Sequence, residues 1–181
     1  MNSVGLLLLI LMLPAEAQSR VPCSNVRGID FRSLVYPLNE PRFTGGQVLR
    51  VRVVDGRYEE PHAPGFQGFL YFEVGDVAFG DLTGDGVEDA AVVATYGSSS
   101  GNFHVTDTYV FSCARGTPTL VGTLTQAQVQ KDSGVQIWTS VDHPMKIKGG
   151  VLEVTYETRP PGRGPTTFRY KLVGRRWQRQ A

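Results

Sequence analysis

Between residues 48 and 54 the chain reads VLRVRVV, which places Leu49, Val51 and Val53 on one face and Arg50 and Arg52 on the other. The same period of two returns in VLEVTYE (151–157), where Leu152, Val154 and Tyr156 alternate with Glu153, Thr155 and Glu157. It returns again in TFRYKLV (167–173), with Phe168, Tyr170 and Leu172 set against Arg169 and Lys171. This spacing predicts strands with one buried and one wet face. AAVVATY (90–96) is instead a continuous apolar run, which predicts a strand covered on both sides. VTDTYVFSC (105–113) and TLVGTLT (119–125) complete the predicted set.

Turn chemistry separates these segments: Asp55-Gly56, Gly97 to Gly101, Gly116-Thr117-Pro118, Gly149-Gly150, the Pro/Gly stretch 160–165, and Gly174. Gly149-Gly150, between two alternating runs, predicts a two-residue hairpin. Helical periodicity is nearly absent, and only LTQAQVQ (124–130) predicts a short helical turn. Short strands at regular intervals predict an antiparallel all-β domain, either a sheet or a sandwich- or barrel-like meander.

The first residues change the picture of where this domain works. Val4 to Leu13 form a short apolar run, followed by Pro14 and the small-x-small triplet Ala15-Glu16-Ala17. That reads as a secretory signal peptide over 1–17, too short to span a bilayer, with a single mature domain over 18–181. The expected location is secreted or periplasmic, with no transmembrane segment in the mature chain. Residues 18–26 read as an N-terminal arm. In an exported chain, Cys23 and Cys113 predict one disulfide that tethers the arm to a strand. Lipid attachment at Cys23 is disfavoured, because Arg20-Val21-Pro22 lacks the small and aliphatic residues of a lipoprotein signal.

Net charge is +1, but it is unevenly spread. Residues 55–89 carry nine acids against Arg57 alone, whereas residues 146–181 carry nine bases against Glu153 and Glu157. The two regions either face each other within one domain, or are separately solvated, or mark a cation site and an anionic partner. No aromatic-interleaved basic motif points to nucleic acid.

The acids concentrate in FGDLTGDGVEDAAV (79–92), a predicted strand-to-strand loop. Calcium is a hard cation that takes six to eight oxygens at short range, so a loop holding it must fold its side chains inward. The side chains of Asp81, Thr83, Asp85 and Asp89, with the Val87 carbonyl, supply such a set, and Gly84 and Gly86 permit the tight wrap. An EF-hand is excluded, because Val92 occupies the twelfth position, where a bidentate Glu belongs, and strands flank the loop. Metal-free turn chemistry, in which Asp side chains bond their own backbone, is the alternative reading.

GDLTGDGVEDAAVV resembles the calcium loop of FG-GAP and VCBS-type repeats, found in integrin α-subunit propellers and many secreted bacterial proteins. Asp81, Asp85, Gly86 and Asp89 match that pattern, and Thr83 stands where Asp or Asn is usual. The resemblance implies a structural calcium site in a β protein. A full propeller is excluded, since the motif occurs once in 181 residues.

Evidence for catalysis is thin. His104, Asp107 and the run Ser98-Ser99-Ser100 suggest a hydrolase site near residues 97–107, but no nucleophile elbow accompanies them. His62 and His143 have no spaced partner, and Glu59-Glu60 reads as part of an exposed loop. The expected function is therefore a secreted, non-enzymatic β domain with a calcium-stabilised loop and a binding or envelope-structural role. Its partner would be a protein or glycan at the cell surface. The alternatives are that hydrolase, or an assembly module pairing acidic and basic surfaces between chains.

Overall fold

A computed structural model describes residues 23–61, 68–101, 104–138, 145–159 and 165–181. The expected signal peptide with its cleavage site, His62 and His143 lie outside the described residues.

The elements run in chain order as β1 (Val35–Leu38), α1 (Pro41–Thr44), β2 (Leu49–Arg52), β3 (Arg57–Pro61), β4 (Phe69–Gly80), β5 (Asp89–Ser98), β6 (His104–Ala114) and β7 (Thr117–Leu124). Then follow α2 (Gln126–Ser133), β8 (Gln136–Trp138), β9 (Lys146–Lys148), β10 (Val151–Arg159), β11 (Pro165–Val173) and β12 (Arg176–Gln180). All the strand pairings are antiparallel. The fold is a single all-β domain of curled sheets forming half-barrels.

The central sheet is a meander in the order β3-β4-β5-β6-β7. A second sheet runs β12-β11-β10-β8, with β9 also on β10, and β1-β2 form a separate pair. Alternation assigns the layers. From the central sheet, Leu70, Phe72, Ala94, Tyr96 and Tyr109 face a core shared with Tyr36, Leu38 and Val51 of the β1-β2 pair. Ala91, Val110 and Leu124 face a second core completed by Leu152, Val154, Tyr156, Phe168 and Tyr170. β5 is thus walled in on both sides, as its unbroken apolar run predicts, and nine of its ten residues are buried.

The half-buried strands also follow their sequence pattern. Val51 and Val53 are buried while Arg50 and Arg52 are exposed, and Leu152, Val154, Tyr156, Phe168, Tyr170 and Leu172 all point inward. Gly149 and Gly150, both at positive φ, join β9 to β10 in the two-residue turn predicted for them. The helical turn grows into α2, whose Thr125 side chain accepts the Gln128 N–H at its N-terminus, with Gly134 in the left-handed region closing it.

Within the stretch 18–26, Cys23 and Val26 are buried in the first core. Val26 opens a 3₁₀ turn whose Asn25 side chain accepts the Gly28 N–H. Glu59 and Glu60 lie on β3 and not in a loop, because β4 offers a pairing edge that reading along the chain alone does not reveal. The predicted disulfide is present: Cys23 and Cys113, 90 residues apart, are joined. The Cys23 N–H also donates to the Gly116 carbonyl at 3.0 Å.

Candidate functional site at the acidic loop

Residues 81–88 link β4 to β5, the pair that forms the middle of the central sheet. The loop is anchored at its second residue. Leu82 is 1% exposed and packs into the inter-sheet core, so a hydrophobic peg holds a strongly charged segment against the domain. Gly84 and Gly86 have φ of 78° and 83°, the left-handed conformation that the tight path requires.

Backbone N–H groups answer most of the carboxylate oxygens. Asp81 accepts the Gly84 N–H at 2.6 Å and the Gly86 N–H at 2.9 Å, one on each oxygen. Asp85 accepts the Val87 N–H at 2.9 Å. Asp89 Oδ2 accepts from both Leu82 and Thr83, each at 2.9 Å, tying the start of β5 back to the start of the loop. Thr83, Asp85 and Val87 are exposed, and Asp81 is half-buried. Arg27, from the N-terminal 3₁₀ turn, pairs with Glu88 at 2.7 and 2.8 Å and lies 4.5 Å above the Phe79 ring. The Arg27 guanidinium, through hydrogen bonding first and charge second, holds the Glu88 carboxyl below its ordinary range.

One oxygen in this network stands apart. Asp89 is fully buried, and its Oδ1 has no hydrogen-bond partner. A carboxylate oxygen cut off from water without a donor is costly, and a cation is one group that relieves it. The hard oxygen donors of Asp81, Thr83, Asp85, Asp89 and the Val87 carbonyl suit calcium chemically. Each backbone N–H bond occupies one lone pair of a carboxylate oxygen, so accepting capacity remains. Among the described residues, however, no three of the His, Cys, Asp and Glu side chains are clustered closely enough to hold a metal ion. The donors are of the right kind; side chains already drawn around one point are lacking.

Beside the loop is a cleft of about 430 Å³ between residues 80–84 and the β9–β10 turn, with Leu82, Ile147 and Leu172 contributing apolar surface and Asp81, Thr83 and Lys171 polar groups.

The residues of the suggested hydrolase are not brought together. Gly97 pairs with His104 and Ala94 with Asp107, so His104 and Asp107 project from opposite faces of β6. The Tyr71 hydroxyl meets His104 Nδ1. Asp107 is buried, and accepts the Tyr96 hydroxyl at 2.7 Å and the Gln126 N–H at 2.9 Å. Ser98 and Ser100 share a hydrogen bond at 3.1 Å. Burial pushes the Asp107 carboxyl up to about 6 against the opposing effect of its two donors, and raises Tyr96 and Tyr109 as well. Asp107 is thereby a structural acid that joins β6 to the N-terminus of α2. The role of Arg27 is equally invisible in the sequence, because it depends on a contact 61 residues away.

The chain matches no family model, no curated protein and no solved structure. Among the described residues no helix is long and apolar enough to cross a membrane.

Proposed function

We propose that the chain is an exported, non-enzymatic binding domain whose acidic loop is held by calcium, with a role in surface recognition or envelope structure. The observation that carries the calcium reading is the buried, unpartnered Oδ1 of Asp89. Asp81, Thr83, Asp85, Asp89 and the Val87 carbonyl would hold the ion, and it would supply the positive charge that the loop's carboxylates lack among themselves. The disulfide is in keeping with export. With His104 and Asp107 on opposite faces of β6, a binding role accounts for more of the structure than the hydrolase does.

A second reading of the loop rests on a specific observation. The five N–H bonds to Asp81, Asp85 and Asp89, together with Arg27, already answer its charge, so the loop is also able to stand without metal. Thermal melts in millimolar calcium and in chelator separate the two. Calcium binding predicts a higher Tm with calcium and its loss in Asp85→Ala; superimposable melts for both proteins would leave the metal-free loop as the correct account.

A further inference from the structure

The second sheet lays the bases of the C-terminal third out on its solvent face, where Lys171 also borders the cleft beside the acidic loop. Leu152, Val154, Tyr156, Phe168, Tyr170 and Leu172 point into the inter-sheet core, so alternation sends Lys146, Lys148, Arg159, Arg169, Lys171 and Arg176 to the opposite side. All six are exposed, and Glu153 and Glu157 are the acids among them. Glu153 is taken up by Arg169 at 2.9 Å. Lys146, Lys148, Lys171 and Arg176 have no carboxylate partner among the described residues.

Register gives this charge a shape. Lys148 lies opposite Val151 and Val151 opposite Lys171, so the two lysines flank a valine in one row across three strands. In the next row Lys146 aligns with Glu153 and Arg169. Same-face neighbours are about 7 Å apart along a strand and the lysines of a row about 10 Å apart across it. The result is a broad positive field on the solvent face of a curled sheet, spread too widely for one small anion to engage.

We propose that this face binds an anionic polysaccharide, a carboxylated or sulfated chain lying across the strands. The charge of the face selects a polyanion, and what it lacks selects among polyanions. Trp177 points inward against the core, and the outer positions of β9 to β12 carry no aromatic ring to stack the bases of a single-stranded nucleic acid. The sheet's one aromatic in that row is Trp138, opposite Glu157 at the β8 edge. Val151 and Val173 are its apolar residues, too little to insert into lipid. Four paired strands make a surface roughly 19 Å across, broader than the roughly 12 Å major groove of duplex DNA. The inference rests on reading the chain as an exported binding domain, but not on its calcium loop.

The test is binding of the full mature chain, in calcium-free buffer, to dextran sulfate and polygalacturonate, with neutral dextran, a DNA duplex and phosphatidylglycerol vesicles alongside. One or both anionic polysaccharides bind, with affinity that falls as salt rises. Lys148→Glu with Lys171→Glu weakens binding at least tenfold and leaves the melt unchanged, whereas Arg50→Glu with Arg52→Glu on β2 has little effect. Equal losses in the two double variants, tighter binding to DNA or to vesicles, or no binding at low salt would overturn the proposal. Absence of polysaccharide binding beside a normal calcium-dependent melt would overturn this inference alone.

Discussion

Arg27 and Glu88 meet through two hydrogen bonds, 2.7 and 2.8 Å long, across 61 residues of chain. This pair attaches the N-terminal 3₁₀ turn to the last exposed residue of the acidic loop, and the Cys23–Cys113 bridge fixes the same N-terminal segment to β6. Both side chains are about half exposed, so the contact positions the loop more than it stabilises the fold.

Arg27→Ala is therefore expected to lower Tm only slightly, with the difference shrinking as salt is raised. The Glu88 carboxyl is held below its ordinary range in the folded protein, so the pair's contribution is present above the unfolded value near 4.5 and is lost as pH falls through the folded one. Melts in low and high salt at neutral pH, repeated at acidic pH, check this. A large loss of Tm that is insensitive to salt would contradict it.

Asp107 titrates in the opposite sense. Its carboxyl is raised to about 6 from 3.8, so the folded state holds the proton more tightly than the unfolded chain does. Its contribution to stability is fully present below 3.8 and is lost as pH rises through 6. Urea unfolding between pH 7 and 5 is expected to show a gain approaching roughly 1 kcal/mol per pH unit from this group. Asp107→Asn is expected to flatten that slope, and to cost about 1 kcal/mol because one carbonyl oxygen replaces two acceptors.

Gly80 ends β4 against β9, where an added Cβ would stand 2.5 Å from Ile147 Cγ2 and 2.9 Å from its Cβ. Gly80→Ala is expected to destabilise by about 1–3 kcal/mol through overpacking. Ile147→Ala in the same chain removes Cγ2, the nearer of the two atoms, so the combined loss is expected to be smaller than the sum of the single losses. Strict additivity in a double-mutant cycle would show that the approach is looser than the geometry says.

Removing the Cys23–Cys113 bridge by a double Ser replacement frees a loop of 90 residues. The chain-entropy relation puts the loss at about 4.6 kcal/mol. Denaturant unfolding of the double variant, beside the wild type with and without reductant, measures it; a loss under about 1 kcal/mol would mean the N-terminal segment is held by its packing alone.

What could be read from the sequence was whatever depends on neighbours along the chain. Alternation placed Val51, Leu152, Tyr156, Phe168 and Tyr170 on inward faces, and the apolar run 90–96 announced a strand covered twice. The glycine pair at 149–150 named its own turn. Long-range pairing stayed hidden. β3 was not foreseen, because Glu59 and Glu60 gain strand geometry only from β4, and β4 itself carries a register shift between Val74 and Val77 that blurs its alternation. At the loop, the spacing of Asp81, Asp85 and Asp89 showed which oxygens were present. It did not show that Asp89 would close the loop onto the N–H groups of Leu82 and Thr83 while its second oxygen went unanswered. The charge asymmetry was visible, but only the register of β9, β10 and β11 shows that bases line up in rows on one face.

β5 contributes Ala90, Val92, Ala94 and Tyr96 to one core and Ala91 and Val93 to the other. The two cores are thus separated by a wall one residue thick, and neither can loosen without exposing the back of its neighbour. Unfolding is accordingly expected to be a single cooperative event. The amides of β5 are then the last to exchange with solvent, opening only when the whole domain does.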